Sequence, residues 1–240
     1  MKVLLLGGTG EARALASHLV ATGIDVTSSL AGRVARPRLP VGEVRIGGFG
    51  GVDGLRRALA EYDAVVDATH PFARGISANA ALACDAENVP LIRLARPGWE
   101  PQESWRYVDS HADAAVVAAR LGSRPFLTIG RQGLAQFIPD LGEHHVLARV
   151  VDVPDVTIPS SWKLITSRGP YTLDGERALM RSHASDVLIT KDSGGSFTWP
   201  KLAAAAELGV PVVVVARPPS PSGVATVSTV DEALVWVLTQ

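Results

Sequence analysis

Residues Val3–Arg13 read VLLLGGTGEAR, and this stretch decides the fold of the chain. An apolar strand runs into a glycine-rich turn, and the helix after the turn carries its apolar residues on one face. Such a turn binds a pyrophosphate, because glycines let the backbone approach the phosphates and the helix N-terminus presents free N–H groups. A strict G-x-G-x-x-G pattern from Gly7 would need glycine at Thr9 and Ala12. The turn therefore predicts nucleotide binding, with a tight strand-to-helix connection as the alternative.

The end of the second strand, expected near residues 25–30, indicates which nucleotide binds. NAD enzymes usually place an acidic residue there, about 20 residues after the glycines, to bind the ribose 2′-hydroxyl. Residues 27–33 contain no acid; they supply hydroxyl groups and the cation of Arg33, with Arg36 and Arg38 close behind. A 2′-phosphate needs such groups, so the sequence favours NADP(H) over NAD(H). A solvated basic loop is the alternative.

Composition predicts a soluble cytoplasmic protein. Hydrophobic residues make up 47% of the 240 positions, charged residues make up 20%, and the net charge of −1 favours neither nucleic acid nor an anionic membrane as a partner. The single cysteine, Cys84, excludes an intramolecular disulfide. The six histidines lack metal-ligand spacing, and no apolar run reaches the length of about 18 residues that a membrane span needs. We expect no metal, and a monomer by default.

The chain carries signs of an internal duplication. Val89–Pro97 resembles Val210–Pro218, which lies 121 positions later, and Asp53-Gly54 resembles Asp174-Gly175 at the same offset. Repeated apolar strands alternating with helices predict an α/β fold: two doubly wound, Rossmann-like parallel-sheet lobes. We expect an NADP-binding lobe over residues 1–110 and a substrate lobe over residues 111–240. Exchange of late strands between the lobes stays open.

The expected elements follow from the apolar runs and the turn residues between them. Strands are expected near 2–6, 25–30, 43–46, 63–68, 90–95, 125–129, 145–151, 162–167, 186–190 and 211–216. Helices are expected near 11–22, 52–61, 75–87, 111–121, 131–138, 173–183, 199–208 and 230–238.

Turns after the strands should carry the function, because such sheets bind ligands outside the carboxyl ends of their strands. In the second half these turns contain Arg131, Arg168 and Lys191, and Lys201 lies shortly beyond. Cations and glycine N–H groups at strand ends suit a carboxylate-bearing ligand. We therefore expect the cofactor on the first lobe and an acidic substrate between the lobes.

At this point the chain resembles the precorrin-6A reductase family of cobalamin biosynthesis. The matching blocks span nearly the whole sequence in the expected order: residues 6–13, 31–33, 67–73, 130–132, 167–171, 191–195 and 216–218. The resemblance implies NADPH-dependent reduction of one double bond of the precorrin-6A macrocycle, which gives precorrin-6B. Some relatives act on the cobalt-containing intermediate, and the metal-free substrate is preferred here. Both are polycarboxylate tetrapyrroles, which agrees with the cations of the second half.

The cofactor residues are assigned to two turns and a strand end. Arg33, with Ser28 or Ser29, is expected to bind the 2′-phosphate, and the turn after the fourth strand is expected to contact the nicotinamide ribose. Glu11 could instead serve only the helix dipole. The full cofactor set is Gly7, Gly8, Thr9, Gly10, Glu11, Ala12, Ser28, Arg33, Thr69, His70, Pro71 and Phe72.

Reduction needs a hydride on one carbon and a proton on its neighbour. By residue type the candidate catalytic groups are Lys191, His70 and Asp192, with solvent as the competing proton source. His70 could instead bind the cofactor or a substrate carboxylate, or cap its own turn. The residues assigned to substrate binding are Arg131, Ser167, Arg168, Gly169, Lys191, Ser193, Gly194 and Lys201.

Two other functions remain open from the sequence. One is an NADP-dependent reductase of a small unsaturated acid, although two cation-bearing lobes favour a larger polyanion. The other is a non-catalytic NADP-sensing protein, which would have no use for the turn over residues 191–195.

Overall fold

The computed structural model describes residues 1–32 and 37–240. Its strands are β1 (Lys2–Leu6), β2 (Asp25–Leu30), β3 (Glu43–Ile46), β4 (Ala64–Asp67), β5 (Leu91–Leu94), β6 (Trp105–Val108), β7 (Pro125–Leu127), β8 (Leu147–Val150), β9 (Lys163–Thr166), β10 (Val187–Lys191), β11 (Val212–Val215) and β12 (Ala225–Val227). Its α-helices are α1 (Gly10–Ala21), α2 (Val52–Leu59), α3 (Arg74–Glu87), α4 (His111–Leu121), α5 (Ile138–Leu141), α6 (Leu173–His183), α7 (Pro200–Glu207) and α8 (Val230–Leu238).

The predicted fold class is confirmed, since the strands form two six-stranded parallel sheets with helices packed on them. All ten predicted strands and all eight predicted helical segments are present, with ends that differ by a few residues. The segment expected near 131–138 is wound more tightly, as the 3₁₀-helix Arg131–Phe137 followed by α5. Strands β6 and β12 were not predicted.

The first unit consists of residues 1–97 and 218–240, with strand order β12-β5-β4-β1-β2-β3. Its central strand β1 is buried along almost its whole length, because helices cover both faces of the sheet. Helices α1 and α8 share one apolar core with β1, β2, β4 and β5. Helices α2 and α3 share a second core with β1 and β4. In such sheets a ligand binds outside the carboxyl ends of the strands.

The second unit consists of residues 98–217, with strand order β6-β11-β10-β7-β8-β9. Helices α6 and α7 pack on β7, β8, β10 and β11 around a core that includes Trp99 and Trp105. Helix α4 packs against β10 and β11, with the 3₁₀-helix and α5 beside it. The order of equivalent strands matches that of the first unit, as the repeat predicts.

The compact units differ from the expected boundaries of 1–110 and 111–240. Strand β6 follows β5 in the chain but pairs with β11, whereas β12 follows β11 but pairs with β5. The sixth strand and last helix of each repeat thus belong to the other repeat's sheet, and the chain passes between the units after Pro97 and again after Arg217. The expected boundary missed this exchange because β6 and β12 are short edge strands without a long apolar run.

In the described part of the chain, no helix combines the length and the hydropathy that crossing a membrane requires.

Candidate active site

The glycine turn after β1 presents an open backbone. The Thr9 hydroxyl caps α1: it accepts from the Ala12 N–H at 3.0 Å and donates to the Ala68 carbonyl at 2.8 Å. Gly8 has φ +114°, and nothing lies within 4 Å of the position that a Cβ there would take. A side chain at Gly8 would be strained and would cover the N–H groups at the start of α1. The turn is therefore built to let a phosphate approach the backbone.

A small pocket opens at the carboxyl end of β2, beside this turn. It is lined by Gly7, Gly8, Ala12, Arg13, Ser28, Leu30, Arg38 and Pro40. Among residues 1–32 and 37–240, nothing hydrogen-bonds the buried Ser28 hydroxyl, and the lining that these residues form contains no carboxylate. A buried hydroxyl in a lining that also contains Arg13 and Arg38 fits an anionic ligand group.

The structure places only some of the residues that the sequence assigns to the 2′-phosphate. Arg33 lies outside the described residues. The Ser29 hydroxyl accepts from Arg45 at 3.0 Å, and the Thr27 hydroxyl donates to Glu43 at 2.8 Å, so both point to β3 rather than to the pocket. Arg13, in the first turn of α1, lines the pocket but was not predicted from the sequence.

The turn after β4 contains the other predicted cofactor residues. The His70 Nδ1 atom accepts from the Phe72 N–H at 3.2 Å, which assigns the proton of the neutral ring to Nε2. The ring is 5.8 Å from that of Phe72, measured between centroids. His70 therefore caps its own turn, which was one of the alternatives left open by the sequence.

Glu11 is held by an ion pair rather than directed at a ligand. Its carboxylate lies 2.8 Å from Arg96, which follows β5. The negative charge also stands in the first turn of α1, where the helix dipole favours it. Any contribution of Glu11 to cofactor binding is then through its backbone.

A buried lysine and a half-buried one lie at the equivalent edge of the second unit. Burial lowers the pKa of Lys191 to about 8. Lys201 is 3% exposed, and burial lowers its pKa to about 7, with the nearby charges of Arg149 and Lys191 acting in the same direction and Glu176 opposing them. The Lys201 ammonium lies 5.5 Å from the centre of the Trp99 ring, an arrangement that favours the charged form. Two titrating cations therefore stand where an acidic ligand is expected.

A buried ion pair lies close enough to Lys201 to affect its pKa. Arg149 on β8 and Glu176 on α6 form a two-point pair, with one N–O distance of 3.0 Å, and the Arg149 guanidinium stacks 3.8 Å from the centre of the Tyr171 ring. Both charged residues were missed from the sequence because they lie inside regular elements rather than in the turns after strands. The sequence feature that could have indicated them is a charged residue at a position that the fold is expected to bury.

Asp192 acts as an anchor in the second unit. One carboxylate oxygen accepts from the Trp99 N–H at 3.2 Å and from Arg217 at 3.3 Å. The carboxylate also faces Gly98 so closely that a Cβ there would lie 2.7 Å from it. Asp192 therefore holds both the first and the last residues of the unit. An acceptor engaged by two donors is poorly suited to release a proton.

The remaining predicted substrate residues lie in turns after β7, β9 and β10, which end at one edge of the sheet. Arg131 donates to the Val153 carbonyl at 3.2 Å, and Ser193 donates through its N–H to the Lys191 carbonyl at 2.7 Å. Arg168 is exposed, in the loop that contains Ser167 and Gly169. Gly194 has φ +64°, which a side chain would strain. The fold thus brings the predicted set to one edge, in keeping with the strand-end rule.

Across residues 1–32 and 37–240, no three His, Cys, Asp or Glu side chains are grouped so that they could hold a metal ion.

Comparison with known proteins decides the family. The family model described as Precorrin-6x reductase CbiJ/CobK matches residues 2–238. The chain belongs to this family. A precorrin-6A reductase of Rhodococcus erythropolis is 52% identical over 241 residues, covering 98% of this chain and 97% of the relative. A cobalt-precorrin-6A reductase of Salmonella typhimurium is 32% identical over 240 residues, covering 90% of this chain and 87% of that protein.

A solved structure of the same family has the same fold. The structure titled CobK precorrin-6A reductase is 37% identical in sequence, with a TM-score of 0.92, and the match covers 100% of this chain and 96% of that one. The chain is therefore a reductase, and membership of this reductase family implies a precorrin substrate and a nicotinamide cofactor.

Proposed function

We propose that the enzyme uses NADPH to reduce one ring double bond of precorrin-6A, giving precorrin-6B in cobalamin biosynthesis. NADPH supplies a hydride to one carbon of the double bond, a proton is added to the neighbouring carbon, and NADP⁺ leaves. The support is membership of the CbiJ/CobK family together with a dinucleotide-type edge on the first unit.

The observation that carries the choice of NADPH is the pocket at the end of β2. A strand end that would hold an acid in an NAD enzyme holds instead the unpaired Ser28 hydroxyl, with Arg13 and Arg38 in the pocket lining. These donors fit a 2′-phosphate, and Gly7–Thr9 fits the pyrophosphate. Arg33, which the sequence favours for the same role, is included in the proposal.

The substrate carboxylates are assigned to the second unit. Lys191 and Arg131 supply half-buried cations there, Lys201 supplies a buried one, and Arg168 supplies an exposed one. With pKa values of about 8 and about 7, the two lysines are also suited by acidity to supply the proton near neutral pH, in competition with water. Asp192 is better suited to hold the unit together than to act as an acid.

The metal-free substrate is proposed over the cobalt-containing one. Relatives named precorrin-6A reductase are 39–52% identical to this chain, whereas the relatives named cobalt-precorrin-6A reductase are 31–32% identical. The two substrates share their carboxylates, so no residue at the strand ends separates them. Steady-state rates with each substrate test the preference, which predicts a higher kcat/KM for precorrin-6A.

Cofactor titrations test the 2′-phosphate assignment. We expect Arg38→Ala and Arg33→Ala to weaken NADPH binding by about 10- to 100-fold, since each removes a charge-assisted hydrogen bond, and to leave NADH binding unchanged. Arg106→Ala, on the exposed edge strand β6, is the control. Equal loss for NADPH and NADH would contradict the assignment, and tight NADPH binding without turnover would favour an NADP-sensing protein.

We further propose that the enzyme works as a cytoplasmic monomer. The support for the compartment is compositional, since Cys84 is the one cysteine of the chain and an intramolecular disulfide is excluded; the monomer is the default expectation. Sedimentation velocity of the purified protein tests the oligomeric state, and fractionation of the producing cells tests the compartment.

A further inference from the structure

Four buried polar side chains form a hydrogen-bonded network beneath the turn after β4. Asp67 accepts from the N–H of Thr69 at 3.1 Å and from its hydroxyl at 2.6 Å. Its second oxygen pairs with Arg93 at 2.5 Å, and the same guanidinium nitrogen donates to Ser77 on α3 at 2.5 Å. All four side chains are less than 9% exposed. We call these residues the Asp67 network.

The contribution of this network to stability does not account for its presence. A buried ion pair loses much of its attraction to the desolvation of both charges, so apolar residues at these positions would stabilise the sheet at least as well. The Arg93 Nε atom is moreover buried without a partner, which adds a further cost. The cores above and below the network are apolar throughout. What the network adds is a fixed orientation of the backbone and side-chain groups that hydrogen-bond to it.

The part it fixes is the turn that begins at Ala68. Asp67 and Arg93 are directly opposite on β4 and β5, so their pair is held by the sheet itself. From this base Asp67 binds both polar groups of Thr69, and the Thr9 hydroxyl, at the start of α1, donates to the Ala68 carbonyl. The turn is thus tied on one side to β5 and on the other to the glycine turn.

Its place in the sheet shows which ligand the turn meets. The strand order reverses between β4 and β1, and doubly wound sheets bind their ligand at such a switch point. The pocket with Ser28 lies beyond β1, at the end of β2, and belongs to the adenosine half of the cofactor in the proposed function. The turn after β4, on the opposite side of β1, then faces the other half.

We propose that Asp67 is a positioning residue that, with Arg93 and Ser77, holds the Thr69–Phe72 turn in place for the nicotinamide half of the cofactor. This inference rests on the proposed function, because it takes NADPH as the ligand of the first unit. Asp67 lies below the turn and is 2% exposed, so it acts through Thr69 and His70 rather than by touching the cofactor.

Two ligands separate positioning from a general structural role. The probe 2′,5′-ADP contains only the adenosine half, whereas NADP⁺ contains both halves. We expect Asp67→Asn to leave 2′,5′-ADP affinity within about twofold of wild type, to weaken NADP⁺ by about tenfold, and to lower kcat with precorrin-6A more than it raises the KM for precorrin-6A. The reason is that the NH₂ group of the asparagine would face either Thr69 or Arg93. Both are donors, and an NH₂ group cannot accept a hydrogen bond from them.

A rescue variant and a matched control sharpen the test. In the double variant Asp67→Asn/Arg93→Gln the amide nitrogen of position 67 donates to position 93, and its oxygen still accepts from Thr69, so we expect NADP⁺ affinity and kcat to recover. Ser77→Ala keeps the ion pair and removes one hydrogen bond to Arg93, so we expect a smaller loss of NADP⁺ affinity and of kcat. This variant provides the test if Asp67→Asn does not fold. Thr22→Val, which removes a threonine hydrogen bond to the Leu19 carbonyl at the far end of α1, is expected to change neither ligand's affinity.

Two outcomes would overturn the inference. One is wild-type NADP⁺ affinity and kcat in both Asp67→Asn and Ser77→Ala. The other is a parallel loss of 2′,5′-ADP and NADP⁺ affinity, with a lowered melting temperature, which would make the network merely structural. Failure of the proposed function is separate, because it would appear in the wild-type enzyme as absent NADPH binding or absent turnover with precorrin-6A.

Discussion

A single residue, Lys201, shows how substrate binding and the stability of the free protein make opposite demands on this enzyme. Its ammonium is almost fully buried, close to the ion pair of Arg149 and Glu176, and burial lowers its pKa to about 7. An apolar side chain at that position would avoid this desolvation. The cation is useful only when a substrate carboxylate arrives to pair with it, which is the usual way in which a binding site costs a protein stability.

Lys201→Met is therefore expected to stabilise the free protein at pH 6, by about 2–4 kcal/mol. The folded pKa of about 7 lies below the ordinary value of 10.5, so the unfolded chain binds more protons between these values. Wild-type stability should then rise with pH from about 7 to 10.5, and the variant should lack this rise. Urea unfolding at pH 6 and pH 9 measures both, with Lys163→Met, an exposed lysine on β9, as the control. A destabilised variant at pH 6 would contradict the account.

Substrate binding is expected to take up protons at pH 8. At that pH Lys201 is mostly neutral and Lys191 is about half charged, and the carboxylates of a bound precorrin raise both pKa values. Affinity should consequently fall as the pH rises from 7 to 9. Calorimetric titration in two buffers of different ionisation enthalpy measures the uptake. Equal heats in the two buffers would show that the lysines do not pair with the substrate.

At the scale of elements, the start of α2 is fixed by its preceding loop. Arg45 donates to the carbonyls of Gly47 and Gly48, both at 3.3 Å, and stacks 3.8 Å from the centre of the Phe49 ring. The Phe49 carbonyl in turn lies against Gly54 inside the helix. This close approach of loop and helix is the reason for glycine at position 54.

Gly54→Ala should destabilise the protein by roughly 2–4 kcal/mol, because its Cβ would lie 1.6 Å from the Phe49 carbonyl oxygen and the loop would have to move. Gly75→Ala on α3 is the matched control: nothing lies within 4 Å of its Cβ position, and the change should stabilise the helix by up to about 1 kcal/mol. Thermal unfolding of both variants measures the difference. Equal melting temperatures would contradict this packing of α2.

Elements were predictable from the sequence where apolar runs and turn residues coincide. Strands such as β1 and β11 are buried on both faces and so read as continuous apolar runs. Strands β6 and β12 could not be read in this way, because they are short and mostly exposed: β6 buries only Trp105, and β12 buries none of its three residues. Arg149 and Glu176 escaped for a related reason: only the packed fold shows that two charges on β8 and α6 meet.

At the scale of the whole molecule, the exchanged strands make each unit depend on both halves of the chain. Helix α8 contributes the buried residues Ala233 and Val237 to the core under α1, and β12 covers the edge of β5. A contiguous first half therefore lacks part of its core and exposes an unpaired sheet edge. This arrangement was beyond the sequence, since local patterns do not record which sheet a strand joins.

A fragment of residues 1–110 should fail to fold cooperatively for this reason. A chain that joins residues 1–97 to residues 218–240 through a flexible linker of about 10 residues should fold and bind 2′,5′-ADP. Circular dichroism and ligand titration of the two fragments test the difference. Native 2′,5′-ADP affinity in the 1–110 fragment would contradict the assignment of β12 and α8 to the first unit.

The central claim is that this chain reduces precorrin-6A with NADPH, and the most direct measurement is the stoichiometry of that reaction. Purified enzyme is mixed with precorrin-6A and either NADPH or NADH, while cofactor oxidation is followed by absorbance and the tetrapyrrole by mass spectrometry. The account predicts one NADPH consumed for each tetrapyrrole that gains two hydrogen atoms, no oxidation without precorrin-6A, and much slower reaction with NADH. Equal rates with NADH would contradict the cofactor assignment, and an unchanged tetrapyrrole would contradict the proposed function itself.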